Sequence, residues 1–353
     1  MPLRRAVSTT FAGVPTTLAE LTTLRLGGPI ARLVEATETA DLVEAVRAAD
    51  AAGEPVLVVG GGSNLVAGDD GWPGVVVRLA TRGIDVTADG DDVLVTVAAG
   101  EPWDDVVARS VAEGWSGLAA MSGIPGLTGA TPVQNVGAYG AEVADLIEHL
   151  DVYDRRTGTS ATWPAADVGF GFRTSAFKHT DRYVVLAVTF RLRRSDVSGP
   201  VRYLELARRL GVDQDAAAPS TAVRDAVLEL RRSKGMVLDA ADLDTWSVGS
   251  FFVNPLVTTV GPELAGAPSW ATGPAFKLSA AWLIERAGFH KGYALDRPPG
   301  TVGVSSKHTL ALTHRGGGTT AQLLTLAAEI RAGVEARFGV RLGPEAHLAG
   351  VTF

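Results

Sequence analysis

Residues 247–255, SVGSFFVNP, contain a serine whose surroundings do not explain its chemistry. Ser250 follows a glycine and precedes two phenylalanines, and the nearest histidine on either side in sequence is His179 or His290. A nucleophilic serine requires an adjacent base, and this segment contains none. By itself, a serine in this setting is usually a turn-capping residue. The segment alone therefore leaves open what an unactivated hydroxyl could do there.

A first glycine cluster could bind an anion. Gly60, Gly61, Gly62, Ser63 and Asn64 directly follow the apolar stretch PVLVV. Glycines permit positive φ and let successive N–H groups face an anion without a Cβ in the way, and a simple βα turn is the alternative. No Lys-Ser/Thr pair follows, so this is not a Walker loop, and the G-x-G-x-x-G spacing of a dinucleotide-binding Rossmann site is absent.

A second glycine-rich segment is too long for a simple turn. Residues 122–143 read SGIPGLTGATPVQNVGAYGAEV, with glycines at 123, 126, 129, 137 and 140. This composition favours a backbone that lies along a large planar cofactor and directs N–H groups at ring heteroatoms and pyrophosphate. Gln134 and Asn135 can each donate and accept hydrogen bonds, which suits a flavin or adenine edge.

Composition narrows the class of protein. The 353 residues are 46% hydrophobic and 20% charged, as in globular proteins, and exceed the roughly 250–300 residues at which single cores stop growing. The net charge of −7 argues against a nucleic-acid partner. The absence of cysteine excludes disulfides and thiolate chemistry and fits a cytoplasmic location. The six histidines are scattered without ligand spacing, so we expect no metal.

The hydrophobic pattern predicts elements that would position these segments. We expect helices over residues 40–52, 104–113, 222–232 and 277–288, another from about 317 to 339, and a loop over 262–274. Strands are expected at 31–36, 55–59, 75–79, 93–100, 149–154, 159–163 and 182–194, and one leading into Asn254. Residues 183–190 form an apolar run too short to span a membrane, and residues 1–13 lack the apolar core of a signal peptide, so we expect no membrane insertion.

The ordered motifs resemble a known family. GGGSN followed by GIPGLTGATPVQNVGAYG resembles the FAD-binding domain of the vanillyl-alcohol-oxidase type. Within that superfamily, the chain from residue 23 to residue 345 resembles the UDP-N-acetylenolpyruvoylglucosamine reductase family, in the class with a tyrosine-bearing loop. The resemblance implies that NADPH reduces non-covalent FAD, which then reduces the enol ether of UDP-N-acetylglucosamine enolpyruvate in peptidoglycan precursor synthesis.

The resemblance also implies three catalytic residues. Ser250 matches the serine that protonates the carbon next to the substrate carboxylate, a role that needs no base because a carbanion is a strong base. Arg173, in FGFRTSAFK, matches the arginine that stabilises the developing charge, although Phe172 replaces the family's usual tyrosine. Glu345, in LGPEAHL, completes the set, and we expect burial to raise its pKa. For the two phenylalanines after Ser250, core packing is favoured over water exclusion.

Further residues are assigned by the same resemblance. Tyr203, Lys234, Asn254, Lys291 and His308 match substrate contacts, and Tyr139 could contact either flavin or substrate. The residues expected to bind the cofactor are Gly60, Gly61, Gly62, Ser63, Asn64, Ser122, Gly123, Ile124, Gly126, Gly129, Ala130, Gln134, Asn135, Gly137 and Ala138.

The implied fold is α+β, with a two-lobed FAD-binding domain of the PCMH type and a C-terminal α+β substrate-binding domain. We expect one lobe over residues 1–82, rejoined by 340–353, a second with the substrate-loop insertion over 83–235, and the UDP-sugar domain over 236–339. A monomer or weak dimer is expected. Two rival hypotheses are an alcohol or sugar oxidase of the same superfamily and a non-catalytic nucleotide-sugar or flavin-binding protein.

Overall fold

The computed structural model describes residues 14–353, so residues 1–13, for which we expect no signal peptide, lie outside the described residues. The helices are α1 (Thr39–Ala51), α2 (Trp103–Ala112), α3 (Leu204–Leu210), α4 (Ser220–Ser233), α5 (Ala280–Arg286) and α6 (Thr320–Phe338). The strands are β1 (Ile30–Ala36), β2 (Val56–Val59), β3 (Leu65–Ala67), β4 (Trp72–Leu79), β5 (Ile84–Asp89), β6 (Asp92–Ala98), β7 (Trp115–Ser116), β8 (Gly137–Ala138), β9 (Ala141–Glu142), β10 (Ile147–Asp154), β11 (Thr159–Pro164), β12 (Tyr183–Arg194), β13 (Leu256–Val257), β14 (Ser269–Thr272), β15 (Ala275–Leu278), β16 (Val302–Val304), β17 (Leu312–His314) and β18 (His347–Ala349). Among the helices of this part of the chain, none combines the length and apolar character that crossing a bilayer requires.

The first sheet is parallel and carries the first glycine cluster at one end. Its strand order is β1-β4-β2, and α1 packs on it because Leu42 and Val46 share a core with Val75 and Val77. The chain leaves β2 through residues 60–64 and enters β3, which pairs in parallel with β18 near the end of the chain. The chain end therefore lies beside the first glycine cluster.

The second sheet is antiparallel and holds the rest of the amino-terminal core. Its order is β11-β10-β12-β6-β5, with β7 beside β12. The apolar run at 183–190 forms most of β12, and the prediction of a buried strand there is confirmed. Helix α2 covers this sheet through the buried Trp103, whose ring lies 5.8 Å from that of Phe190.

Another core forms around α6, mostly from the last part of the chain. This helix buries Leu323, Ile330 and Val334 in a cluster that also contains Phe251 and Phe252. A capping box at Thr319 starts the helix, and Gly339 ends it in the left-handed conformation at φ 64°. Two small sheets, with strand orders β13-β15-β14 and β16-β17, complete this part.

Several predicted elements differ from the structure. The helix expected over 277–288 is wrong at its start, because residues up to Leu278 form β15 and Ser279 caps α5 by accepting a hydrogen bond from the Trp282 N–H. The loop expected over 262–274 contains β14, which is held by its pairing with β15. Helix α3 was not predicted, since it has only seven residues and depends on packing against α4. No strand leads into Asn254; the nearby strand β13 begins at Leu256.

Candidate active site

The two glycine segments meet backbone to backbone. A Cβ added to Gly61 would lie 2.8 Å from the Cα of Gly126, so neither segment could approach the other with a side chain at that point. The Ser63 hydroxyl also donates to the Pro125 carbonyl at 2.9 Å. Residues that lie more than sixty positions apart thus form one surface.

The first turn presents free backbone donors. Within residues 14–353, no protein acceptor binds any of the five backbone N–H groups from Gly60 to Asn64. The turn needs glycine at position 62, where φ is 59° and a Cβ would lie 2.0 Å from the Leu21 carbonyl oxygen. Unpaired N–H groups in an irregular turn form a site for an anion.

The second segment is partly enclosed by protein. Ser122, Gly123, Gly129 and Asn135 are buried, Ala130 is exposed, and the other predicted cofactor residues of this segment are half-buried. The Asn135 side chain bonds to Glu142 Oε2 at 2.8 Å and accepts from the Ala144 N–H at 3.1 Å. These partners lie inside the protein, so this amide shapes the segment, and its contact with a cofactor stays a prediction.

Gln134 connects the two segments to a third one. Its Oε1 accepts a hydrogen bond from Asn64 Nδ2 at 2.8 Å and another from Lys178 Nζ at 3.1 Å. Lys178 follows Arg173 by five residues in the FRTSAFK motif. The motif therefore lies directly against both glycine segments.

Ser250 lies next to the Glu345 segment. The neighbouring Phe251 carbonyl accepts a hydrogen bond from the Glu345 N–H at 2.8 Å, and Phe252 forms a bridge with Pro344. Both phenylalanines are buried in the core around α6, so the favoured interpretation of core packing is confirmed. Their burial fixes the backbone that carries the half-buried Ser250.

Arg173 and Glu345 contact each other. Arg173 Nε lies 3.4 Å from Glu345 Oε1, with side chains 24% and 17% exposed. Arg173 has a left-handed backbone, with φ 53°, and donates to the Gly137 carbonyl at 2.8 Å. Burial raises the pKa of Glu345, as the sequence predicts, and the positive charges of Arg173 and Lys178 partly oppose that rise.

The predicted substrate residues form two groups. The rings of Tyr139 and Tyr203 meet edge to face with centroids 5.5 Å apart, and burial raises the pKa of Tyr139 to about 12. Lys234 forms an ion pair with Glu205 at 2.7 Å, which ties the end of α4 to α3. The loop tyrosine is thus held next to one end of the site.

The second group surrounds a neutral histidine. Burial lowers the pKa of His308 to about 4, and the charges of Lys234 and Lys291 act in the same direction. A contact of these three side chains with one anionic ligand stays a prediction. Asn254 differs, because its Oδ1 accepts from the Ala280 N–H at 2.9 Å and so caps α5; a substrate contact there stays a prediction.

Sequence reasoning missed a cationic and aromatic cluster. Lys277 Nζ lies 4.4 Å from the ring centroid of Phe172 and 5.6 Å from that of Trp270. Phe172 precedes Arg173 in sequence, and Trp270 lies on β14. Both side chains are more than one third exposed. Lys277 was assigned to a helix, and β15 instead places it directly opposite Trp270.

Arg231 is a second residue that the sequence did not reveal. Its guanidinium donates to the Met236 carbonyl at 2.8 Å, whereas its Nε has no hydrogen-bond partner among the described residues. A Cβ on Gly123 would lie 3.6 Å from this Nε. Arg231 thus places a half-buried positive charge behind the second glycine segment, and the pattern LRRSKG alone does not distinguish it from its exposed neighbours.

Two parts of the chain match known domain families. Residues 30–162 match the FAD binding domain family, and residues 241–349 match the C-terminal domain of UDP-N-acetylenolpyruvoylglucosamine reductase. The chain is therefore a flavin-binding α+β protein with a separate C-terminal domain, and the predicted fold class is confirmed.

Full-length relatives identify the family. The chain is 56% identical to the UDP-N-acetylenolpyruvoylglucosamine reductase of Salinispora arenicola and 54% identical to that of Saccharopolyspora erythraea, and each match covers 93% of both chains. The crystal structure of the Thermus caldophilus enzyme is similar with a TM-score of 0.64 at 24% identity, over 94% of this chain and 97% of that one. The chain belongs to the UDP-N-acetylenolpyruvoylglucosamine reductase family.

Proposed function

We propose that this chain catalyses the NADPH-dependent, FAD-mediated reduction of UDP-N-acetylglucosamine enolpyruvate to UDP-N-acetylmuramate, a step in peptidoglycan precursor synthesis. Family membership supports the reaction. The observation that carries the assignment of its centre is the contact between Arg173 and Glu345, which lies next to the Ser250 segment and the two glycine segments. The proposed location is the cytoplasm, and the proposed state is a monomer or weak dimer.

The residues around the glycine segments fit FAD. The free N–H groups of residues 60–64 are suited to its pyrophosphate, and the half-buried residues within 124–138 offer a surface for its rings. When bound, FAD supplies hydride chemistry, accepting hydride from NADPH and passing it to the enol ether. No cysteine is present and no histidine lies in the glycine segments, which supports non-covalent binding.

The protein's own groups handle charge and protons. Arg173, fixed by its bond to the Gly137 carbonyl, would stabilise negative charge on the substrate carboxylate. Glu345, whose pKa burial raises, would retain a proton beside that charge. The Ser250 hydroxyl would donate a proton to the adjacent carbon, and the buried phenylalanines after it hold the backbone that carries it.

The remaining groups would bind the nucleotide sugar. Lys234, Lys291 and the neutral His308 offer two positive charges and one hydrogen-bonding ring for a diphosphate. Tyr139 and Tyr203 would contact the ligand near Lys234, whose partner Glu205 follows Tyr203 by two residues. The cluster of Phe172, Lys277 and Trp270 provides exposed aromatic faces and a cation for a nucleotide base or phosphate.

Half-reactions test the proposal. Purified protein should be yellow, should release free FAD on denaturation, should be bleached by NADPH and should then be reoxidised rapidly by the enolpyruvyl substrate under anaerobic conditions. Flavin that stays attached after denaturation would favour the oxidase alternative. Bound FAD that the enolpyruvyl substrate never reoxidises would favour a non-catalytic binding protein.

A glycine substitution tests the cofactor site. Gly62→Ala should leave the protein with little bound FAD, because a Cβ there clashes with the Leu21 carbonyl 2.0 Å away. Gly53→Ala is the matched control, since Gly53 has a similar φ of 67° but no atom within 4 Å of the added Cβ. Both variants carry about 1–2 kcal/mol of left-handed strain, so only the clash separates them. The ratio of flavin to protein absorbance measures the difference, and equal ratios would contradict the assignment.

A further inference from the structure

The ammonium group of Lys178 lies at the junction of three segments of the site. It donates to Gln134 Oε1 at 3.1 Å and to the backbone carbonyl of Glu345 at 3.3 Å. Gln134 Oε1 also accepts from Asn64 at 2.8 Å. One lysine therefore connects both glycine segments to the segment that carries the proposed catalytic glutamate.

The backbone of Lys178 is held from behind. The preceding Phe177 is 4% exposed and packs against the rings of Trp163 and Tyr183, with centroids 5.7 and 5.8 Å away. The Ser175 hydroxyl donates to the Val133 carbonyl at 2.8 Å and accepts from the Phe177 N–H at 3.1 Å. These contacts fix where the lysine side chain starts and so limit where its charge can lie.

The charge of Lys178 is not neutralised by a close carboxylate. Both of its hydrogen-bond acceptors are neutral oxygens, and among residues 14–353 no carboxylate oxygen lies within 4.0 Å of its Nζ. The charged or titratable groups that face it are Glu345, Arg173 and His347. Burial lowers the pKa of Lys178, and the negative charge of Glu345 opposes this effect.

We propose that Lys178 is a positioning residue that fastens the Glu345 segment to the cofactor-binding segments and supplies positive charge at their junction. This inference rests on the proposed function. Removing the charge has two consequences. The Glu345 segment loses the hydrogen bonds through which Lys178 connects it to Gln134. Glu345 also loses a positive neighbour that favours its ionised form.

The test compares Lys178→Met, Lys178→Arg and Arg47→Met in the FAD-bound enzyme. Met keeps the length of the side chain without the charge, whereas Arg keeps the charge. Arg47 is an exposed residue of α1, paired with Glu44, so Arg47→Met controls for the loss of one positive charge elsewhere. Thermal unfolding of each variant establishes that it is folded.

Two readouts are expected to change in Lys178→Met. The variant should bind FAD about tenfold more weakly, as measured by the fluorescence of the FAD released on dilution of the holoenzyme. The alkaline limb of the pH profile for reoxidation by the enolpyruvyl substrate should move upward by about one pH unit, because Glu345 holds its proton more strongly. Lys178→Arg and Arg47→Met should resemble the wild type in both.

The outcomes separate this inference from the proposed function. Wild-type FAD retention together with an unshifted pH profile in Lys178→Met would overturn the role of Lys178, as would an Arg variant that changes as much as the Met variant. Should the wild type itself fail to be reoxidised by the enolpyruvyl substrate, the proposed function fails. FAD retention would still test the fastening role in that case.

Discussion

Replacing Ser250 by alanine should leave hydride uptake from NADPH at the wild-type rate and slow reoxidation by the enolpyruvyl substrate by about 10²–10⁴-fold, the usual effect of removing a positioned general acid. Ser250 directly precedes Phe251, whose carbonyl accepts a hydrogen bond from the Glu345 N–H. The backbone of Ser250 is therefore held at the proposed centre. Alanine keeps that backbone and removes only the proton donor. Stopped-flow absorbance of the flavin measures the two half-reactions separately.

The neighbouring serine provides the matched control. Ser247 lies in the same segment, where its side chain accepts from the Gly249 N–H at 3.2 Å. Ser247→Ala therefore removes a local turn contact without removing the proposed acid, and both half-reactions should persist. Equal loss of both half-reactions in Ser250→Ala would instead indicate a general disturbance of the site and would contradict the proton-donor role.

The sequence predicts the local parts of the site better than their assembly. The glycine segments are recognisable because each carries its signal within a few consecutive residues, and most strands and helices follow from hydrophobic periodicity. The contact of Ser63 with Pro125, or that of Arg173 with Glu345, joins residues far apart in the chain. Periodicity contains no information about such pairs, and only the resemblance to a family places them in one site.

Individual residues show the same limit. Lys277 lies in an apolar run that suits either a strand or a helix, and pairing with β14 decides in favour of the strand. Lys178 has no local pattern that distinguishes it from a surface lysine, because its role depends on Gln134 and Glu345, which lie 44 and 167 residues away. The Asn135 side chain also has partners that the sequence did not reveal, since it bonds to Glu142 and to the Ala144 N–H, and its contact with a cofactor stays a prediction.

Replacing Glu345 by glutamine should lower activity and, as the pH rises above about 5, make the protein more stable than the wild type. Its pKa is raised above the ordinary value of 4.5 by burial, so the folded protein favours the neutral acid. Reoxidation by the enolpyruvyl substrate should be fastest below the folded pKa of Glu345 and should fall as the pH rises through it. Glu345→Gln mimics the neutral form but cannot exchange a proton, so we expect reoxidation to slow by about 10²-fold or more and to lose this limb of the pH profile.

Linkage fixes the sign of the stability change. An acid whose folded pKa exceeds its unfolded pKa contributes stability that is present below the unfolded value and is lost as the pH rises toward the folded value. The wild type should therefore lose free energy of unfolding relative to Glu345→Gln between about pH 5 and about pH 8, as urea unfolding at the two pH values would measure. Glu335→Gln on the exposed face of α6 is the control and should show neither change.

A difference in unfolding free energy that stays constant with pH would mean that Glu345 ionises as freely in the folded protein as in the unfolded chain. Its place beside Arg173 would then support charge pairing instead of proton retention.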